Sequence, residues 1–311
     1  MNFDHVLLIG HGAPVSAEEV VPYLRSMNAG KNVPEKRLAA LARHYELIGG
    51  ASPYNTQVLD FKGRLERELS AAGLDLPVFM GMKNWSPFLK KSLAEIHLKG
   101  FRDGLAVPLT PYRSAVCGAG YKESLKILCS EPEMEGLRYQ FIEGWYDEEL
   151  FIQAESEEIA AALGALPPSA RSEIPILFSF HSLPIHRHRT DPLFHYPGEA
   201  YAASALVAKQ LRHSRWSVVY QSCPVSSKGG WLGPGIEEEA RALALRNEKR
   251  VLVVPLGFLC DHAEILYDLD HAARGVIEKA GMQYLRARTV LSHPKITVLL
   301  RMLIEAQHFK R

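Results

Sequence analysis

The sequence has almost no excess of either charge and no long apolar run. Its 311 residues include 36 Lys and Arg against 35 Asp and Glu, which gives a formal net charge of +1. Nucleic-acid-binding proteins usually carry a strongly basic surface, and disordered chains combine high net charge with few apolar residues. The longest apolar run, residues 251–260, contains a proline and a glycine, whereas a membrane-spanning helix needs about 20 apolar residues. Nucleic-acid binding, disorder and a transmembrane segment are therefore not expected.

Cysteine is scarce and shows no paired motif. The four cysteines, Cys117, Cys129, Cys223 and Cys260, are scattered without a CxxC pair. Only a short apolar strand precedes Gly10, which is too little for the core of a signal peptide. We therefore expect thiols in the core or in a pocket wall rather than a disulfide framework or a zinc ribbon. The sequence indicates a cytoplasmic globular protein whose partners bind in a pocket.

Short apolar runs alternate with amphipathic stretches along the whole chain. The runs predict strands over residues 5–9, 78–82, 104–109, 139–141, 174–180, 217–221 and 250–256. The amphipathic stretches predict helices over residues 16–27, 35–48, 56–72, 86–99, 147–163, 199–211, 236–245, 262–280 and 294–307. Ser16 and Glu19 are expected to form a capping box at the first helix. Such alternation predicts an α/β fold with parallel sheets flanked by helices.

Two parts of the chain repeat one pattern. Residues 5–14 and 175–184 each combine an apolar run with His-x-x-Pro, and LAVPLT at 105–110 resembles LVVPLG at 252–257. The repetition predicts two similar α/β halves facing across a cleft. Ligands of open parallel sheets bind beyond the carboxyl ends of the strands, which is where His11 and His181 are expected.

A proline-rich break marks the expected boundary between the halves. It lies at residues 166–169, and so predicts an N-terminal half over 1–165 and a C-terminal half over 170–311. The final amphipathic helix is expected to dock onto the second half, with packing across onto the first half as the alternative.

Histidine and acidic side chains in the second half could bind a metal ion. His181 follows a strand, and Glu264, Asp268 and His271 are spaced so that a regular helix places them on one face. Imidazole with carboxylate suits divalent iron or a similar first-row ion better than the thiolate sets of zinc ribbons do. The alternative is a capped helix whose two acids face water.

Several motifs resemble those of a known enzyme family. SFHSLP at 179–184, QS at 221–222 with WLGP at 231–234, and PLGFLCDHAEILYDLD at 255–270 look like signature segments of ferrochelatases, which insert ferrous iron into a porphyrin. GHGAP at 10–14, YELIGGASP at 45–53 and GWYD at 144–147 agree with this. The similarity runs in order over nearly the whole chain. It implies two Rossmann-like halves with a porphyrin cleft between them, Fe²⁺ and porphyrin as substrates, haem as product, and a lyase of haem biosynthesis.

The resemblance also assigns roles to the residues of the metal site. His181 and Glu264 match the paired metal-site and proton-acceptor residues of the family, and are the expected catalytic and metal-binding residues. Asp268 and His271 are expected to extend a relay for protons or metal towards solvent. Family members carry an acid one turn after Asp268, where this chain has Ala272.

The expected porphyrin-binding residues follow from the same match. His11 replaces the tyrosine, methionine or leucine of relatives and could ligate the iron of the product haem, the alternative being a hydrogen-bonded histidine at a strand end. The expected partners of the substrate's carboxylates are Asn28, His44, Tyr45, Ser52, Tyr121 and Arg113, with Lys31 nearby. Relatives that act on coproporphyrin carry arginines near two of these positions, occupied here by Asn28 and His44. The substrate could therefore be protoporphyrin IX or coproporphyrin III.

Other functions stay open on the sequence alone. A cobalt or nickel chelatase for a related tetrapyrrole would have the same architecture, and a haem-binding or haem-delivery protein could use His11 as its ligand. No Gly-x-Gly-x-x-Gly turn follows a predicted strand, which argues against nucleotide binding. No iron–sulfur cluster is expected, since four scattered thiolates would have to converge. We expect a monomer, with iron or haem carrier proteins as candidate partners.

Overall fold

A computed structural model describes residues 3–30, 32–114, 118–185, 195–223 and 230–309. The strands are β1 (His5–Gly10), β2 (Val78–Met82), β3 (Asp103–Pro108), β4 (Arg138–Phe141), β5 (Ile176–His181), β6 (Trp216–Gln221), β7 (Arg250–Val254) and β8 (Gln283–Arg286). The α-helices are α1 (Ala17–Met27), α2 (Glu35–Leu47), α3 (Tyr54–Ala71), α4 (Leu89–Leu98), α5 (Gly118–Cys129), α6 (Glu149–Gly164), α7 (Pro168–Arg171), α8 (Tyr196–Leu211), α9 (Ile236–Leu245), α10 (Ala263–Tyr267), α11 (Arg274–Lys279) and α12 (Pro294–His308). Among the described residues, no helix combines the length and apolar character needed to cross a membrane.

The chain divides into two compact units. The first contains the described residues of Met1–Pro111, Val116–Trp145 and Leu291–Arg311, and the second those of Tyr112–Ala115 and Tyr146–Val290. These bounds differ from the predicted halves, because α6 packs against α8 and so belongs to the second unit. The last helix, α12, packs on α3 of the first unit. This is the alternative given above, whereas the main expectation was docking onto the second half.

The first unit contains a parallel sheet with strand order β2-β1-β3-β4. All six residues of β1 are buried, as expected for a central strand covered on both faces. One face of the sheet packs under α4 and α5, through an apolar cluster that includes Leu7, Leu93 and Leu125. Arg64 on α3 fastens the start of α12, because it donates hydrogen bonds to the carbonyls of Leu291 and Ser292 and to the Thr297 hydroxyl.

The second unit repeats this arrangement with strand order β6-β5-β7-β8, again all parallel. The repeat extends to detail. The Met82 N–H donates to the Pro87 carbonyl at 2.7 Å, and the Tyr220 N–H donates to the Pro234 carbonyl at 2.9 Å. Each proline follows a cis peptide bond. The predicted α/β class with two Rossmann-like halves is therefore confirmed.

The predicted helix over residues 262–280 is interrupted. A π-helix, Asp268–Ala273, separates α10 from α11. The buried side chains of this region are four residues apart: Ile265, Leu269, Ala273 and Ile277. An α-helix has 3.6 residues per turn, so such a stripe drifts off one face unless a wider turn absorbs the surplus. The π-helix thus keeps all four side chains on the sheet.

Three other local predictions need correction. Helix α5 and strand β8 did not appear among the predicted elements, and the predicted helix 86–99 begins three residues later, at Leu89. The capping box at Ser16 does not form as expected, since the Ser16 side chain makes no capping hydrogen bond. The Glu19 carboxylate instead accepts hydrogen bonds from the Val15 N–H and the Trp85 indole N–H. Tertiary contacts with the loop before α4 thus replace the local cap.

Candidate active site

His181 is the last residue of the central strand β5 in the second unit. Its Nδ1 lies 2.6 Å from the carbonyl oxygen of Ser182. A carbonyl only accepts hydrogen bonds, so Nδ1 is the donor in this contact, and in the neutral tautomer that makes this bond Nε2 carries the lone pair. The side chain is 30% exposed. The strand end therefore presents an accessible nitrogen that can accept a proton or ligate a metal ion.

Glu264 places a carboxylate beside that nitrogen. Its Oε2 lies 3.6 Å from His181 Nε2, and its side chain is 47% exposed. Glu264 stands in the first turn of α10, where Nδ1 of the N-cap residue His262 accepts the Glu264 N–H. The loop before α10 can approach β5 closely, because Gly257 has no side chain and a Cβ there would meet Phe180 Cα at 2.9 Å. The structure thus brings these two predicted site residues together.

Asp268 lies one turn further on and is half-buried. The Ser222 hydroxyl donates a hydrogen bond to its Oδ2. Ser222 follows β6 with a φ of 60°, a conformation that is uncommon for serine and aims its side chain at the helix. Burial raises the pKa of Asp268 to about 6, and the negative charge of Glu264 adds to the effect. Asp268 can therefore change its protonation state near neutral pH.

Replacing Asp268 tests this pKa. Because the pKa of Asp268 is raised from 3.8 to about 6, ionisation costs stability, and the cost grows as pH rises through 4 to 6 and is complete above about 7. The substitution Asp268→Asn removes that cost. We expect its gain in unfolding free energy to be about 1 kcal/mol larger at pH 8 than at pH 5. Urea unfolding at both pH values measures this, and an equal gain at both would contradict the burial argument.

His271 does not join the other three side chains. Glu264, Asp268 and Ala272 are also four residues apart. They therefore form a second stripe along the helix, next to the buried apolar stripe described above. His271 is exposed on a different stripe, where its ring stacks on Tyr267 with centroids 5.5 Å apart. The stripe that carries the acids therefore ends in Ala272.

His11 occupies the corresponding position in the first unit. It follows β1 directly, as His181 ends β5, and its ring is exposed. Both ring nitrogens lie 3.1 Å from the Asn84 amide nitrogen, which can donate to the unprotonated one. Its backbone N–H donates to the Tyr54 hydroxyl, and the Asn55 side chain holds Ala13 through two hydrogen bonds. The loop that carries His11 is thus well fixed.

The predicted carboxylate partners in the first unit differ in accessibility. Asn28 and His44 are half-buried at the ends of α1 and α2, and the Asn28 amide donates to the Leu24 carbonyl. Tyr45, Ser52 and Tyr121 are only 8%, 3% and 5% exposed. Tyr45 packs on Tyr23, and Tyr121 belongs to the apolar cluster under α4 and α5. Lys31 lies outside the described residues.

Arg113 belongs to the second unit and is already paired. Its Nε and its backbone N–H donate to the two carboxylate oxygens of Glu199, whose side chain is only 3% exposed. The buried carboxylate needs this partner, whereas the Arg113 side chain itself is 48% exposed. Sequence reasoning did not foresee this pairing.

The described residues contain no group of three or more His, Cys, Asp or Glu side chains arranged to hold a metal ion. Among the described residues, Cys129, Cys223 and Cys260 form no disulfide, and Cys117 lies outside the described part of the chain. The candidate site is therefore the His181–Glu264 pair with Asp268 beside it.

Solved structures share the fold. The SirB protein of Bacillus subtilis with Fe³⁺ matches with a TM-score of 0.57 at 12% identity, over 98% of this chain and 95% of that one. The sirohydrochlorin chelatase SirB of Bacillus subtilis subspecies spizizenii, in complex with cobalt, matches with a TM-score of 0.55 at 12% identity, over 98% and 96%. At this identity the likeness concerns the fold alone.

Sequence comparisons identify the family. A family model described as ferrochelatase matches residues 4–308. The coproporphyrin III ferrochelatase of Mycolicibacterium smegmatis is 30% identical over 305 residues, 98% of this chain and 90% of the relative. That of Leifsonia xyli is 33% identical over 318 residues, 94% of this chain and 81% of the relative. The chain belongs to the ferrochelatase family, and is a lyase that inserts iron into a porphyrin.

Proposed function

We propose that this enzyme inserts Fe²⁺ into coproporphyrin III and releases two protons, as a step of haem biosynthesis. The observation that carries the proposal is the His181–Glu264 pair, in which the imidazole Nε2 lies 3.6 Å from a carboxylate oxygen. Imidazole and carboxylate suit ferrous iron, and both groups can also accept protons. Two relatives that cover nearly the whole chain are named for the same reaction.

The proposed mechanism assigns the two protons to these residues. Metal insertion replaces two pyrrole N–H protons of the porphyrin with one divalent ion. His181 Nε2 accepts a proton or holds the iron, and Glu264 accepts the second proton or hands over the metal. Asp268, whose pKa burial raises to about 6, passes protons on towards solvent near neutral pH. His271 has no place in this path, because its ring stacks on Tyr267.

The choice of coproporphyrin III rests on the relatives rather than on the predicted carboxylate partners. Asn28 and His44 offer no guanidinium group to a carboxylate, and the Nε of Arg113 is hydrogen-bonded to Glu199. Recognition of four carboxylates would then depend on hydrogen bonds more than on bidentate ion pairs. Protoporphyrin IX, with two carboxylates, is the competing substrate.

An anaerobic insertion assay with both porphyrins tests the proposal. We expect kcat/KM for Fe²⁺ insertion to be at least about tenfold higher with coproporphyrin III. A preference for protoporphyrin IX would overturn the substrate assignment. Insertion of cobalt or nickel but not iron would favour the other chelatases, and haem binding without insertion would favour a delivery protein. Cytoplasmic location, a monomeric state and carrier partners stay predictions.

His11 is proposed as an axial ligand of the product iron. The substitution His11→Ala is expected to leave detectable insertion, because it spares the pair in the second unit, but to change the visible spectrum of the enzyme–haem complex. Absorption spectra of wild type and variant with bound product measure this. An unchanged Soret band would show that His11 does not bind the iron.

A further inference from the structure

Gln221 lies at the centre of the hydrogen bonds around the candidate site. It is the last residue of β6, pairs in register with His181 on β5, and is only 1% exposed. Its backbone carbonyl accepts the Ser182 N–H at 2.9 Å. The carbonyl of Ser182 in turn holds the His181 imidazole. The backbone of Gln221 thus supports the strand end that presents His181.

The side chain of Gln221 contacts the backbone of Glu264 and the side chain of Ser179. Its amide nitrogen donates to the backbone carbonyl of Glu264 at 3.0 Å, and its Oε1 accepts the hydroxyl of Ser179 at 3.0 Å. The amide nitrogen faces a carbonyl, which only accepts hydrogen bonds. The orientation of the amide is therefore determined by its neighbours.

We propose that Gln221 is a positioning residue for iron insertion, whose buried amide fixes the Glu264 backbone relative to the strand that carries His181. This role rests on the proposed function of the same site. Gln221 supplies an N–H group to the acid-bearing helix and an acceptor to β5, so it joins the two elements that carry Glu264 and His181. Residues that orient metal-binding side chains in this way affect metal affinity or activity about 10–100-fold.

Only an amide of this length satisfies both partners. Methionine has a similar volume but offers no N–H group, so the Glu264 carbonyl would lose its partner. Glutamate keeps the length but places a carboxylate against the Glu264 carbonyl, and both groups only accept hydrogen bonds. Glutamate should therefore disturb the site more than methionine does, although it is closer in shape.

Steady-state kinetics of Gln221→Met and Gln221→Glu test the role. We expect Gln221→Met to raise KM for Fe²⁺ or lower kcat by about tenfold, with KM for the porphyrin within about twofold of wild type. The control is Ser204→Ala in α8, which removes a fully buried hydroxyl that donates to the Ala200 carbonyl at 2.8 Å, in the same unit. Ser204→Ala should leave both constants unchanged, even where it lowers the melting temperature.

Three outcomes decide the proposal. Wild-type kinetics in Gln221→Met, with an active wild type, would overturn the positioning role alone. Equal loss in Gln221→Met and Ser204→Ala would mean that general destabilisation is the cause. A wild type that inserts no iron would overturn the proposed function and this role together.

Discussion

Replacing His181 with alanine is expected to lower kcat for Fe²⁺ insertion by about 10²–10⁴-fold, the range for loss of a positioned acid or base. The Nδ1–H bond to Ser182 holds the ring with Nε2 3.6 Å from the Glu264 carboxylate, and alanine removes this nitrogen. Alanine leaves the backbone pairing of β5 and β6 intact, so the fold should survive. Initial rates with the same porphyrin, and circular dichroism spectra, measure both effects.

Two further substitutions sharpen this test. Glu264→Gln keeps the shape of the side chain but removes its charge and proton affinity, and should fall in the same range. His271→Ala removes an imidazole from the same helical region whose ring stacks on Tyr267, and should change kcat less than about threefold. A larger loss in His271→Ala than in His181→Ala would show that the relay, rather than the pair, limits the reaction.

Strands could be predicted well from the sequence because they are covered on both faces. The central strands β1 and β5 are buried almost throughout and read as continuous apolar runs. The repeated His-x-x-Pro pattern correctly indicates two similar α/β halves, and the two sheets prove to have equivalent strand orders. The domain bounds depend on which helices pack together, as α12 does with α3, and no local pattern specifies that.

The π-helix was missed for a physical reason. Apolar residues at four-residue intervals indicate a helix. The sequence does not show whether their stripe drifts around a regular α-helix or is kept on one face by a widened turn. Only the flat sheet beneath Ile265, Leu269 and Ala273 requires that the stripe stay on one face. The displacement of His271 from the stripe of Glu264 and Asp268 follows from this and could not be read from spacing alone.

Motifs located His181 and Glu264, but not the groups that hold them. The role of Gln221 depends on its register opposite His181 and on the packing of α10, neither of which the sequence specifies. The QS motif is part of the resemblance, and a polar pair at the end of an apolar strand is the only sequence signal for the role of Gln221. The pairing of Arg113 with Glu199 was equally hidden, since the two lie 86 residues apart.

The two units use the same backbone frame for different chemistry. Equivalent strand ends carry His11 with Asn84 in the first unit, and His181 with Gln221 in the second. In both units an amide side chain follows or ends the neighbouring strand. Among the described residues, an acid-bearing helix approaches the histidine only in the second unit. The position of a histidine at a strand end is thus set by the fold, while the carboxylates determine which histidine can move protons.

Arg286 is expected to stabilise the acid-bearing helix strongly. Its guanidinium donates to both carboxylate oxygens of Asp261, which precedes α10, and its Nε lies 2.8 Å from Asp270 in the π-helix. Arg286 is 17% exposed, and the two carboxylates are 23% and 27% exposed. The substitution Arg286→Met leaves both acids desolvated without their partner. We expect it to lower the unfolding free energy by about 2–3 kcal/mol at pH 8, somewhat less than for fully buried pairs.

The loss of unfolding free energy in Arg286→Met should also depend on pH in a defined direction. Burial raises the pKa of Asp270, and Arg286 opposes that shift, so removing Arg286 raises this pKa further. As pH falls, the carboxyl becomes protonated and no longer needs a cation, so wild type and Arg286→Met should approach each other in stability at pH 5. Arg274→Met is the matched control, because Arg274 pairs with Glu278 on the exposed side of α11 and should change stability little. Equal losses for the two arginine substitutions in urea unfolding would contradict the proposed importance of the Asp261–Arg286–Asp270 contacts for stability.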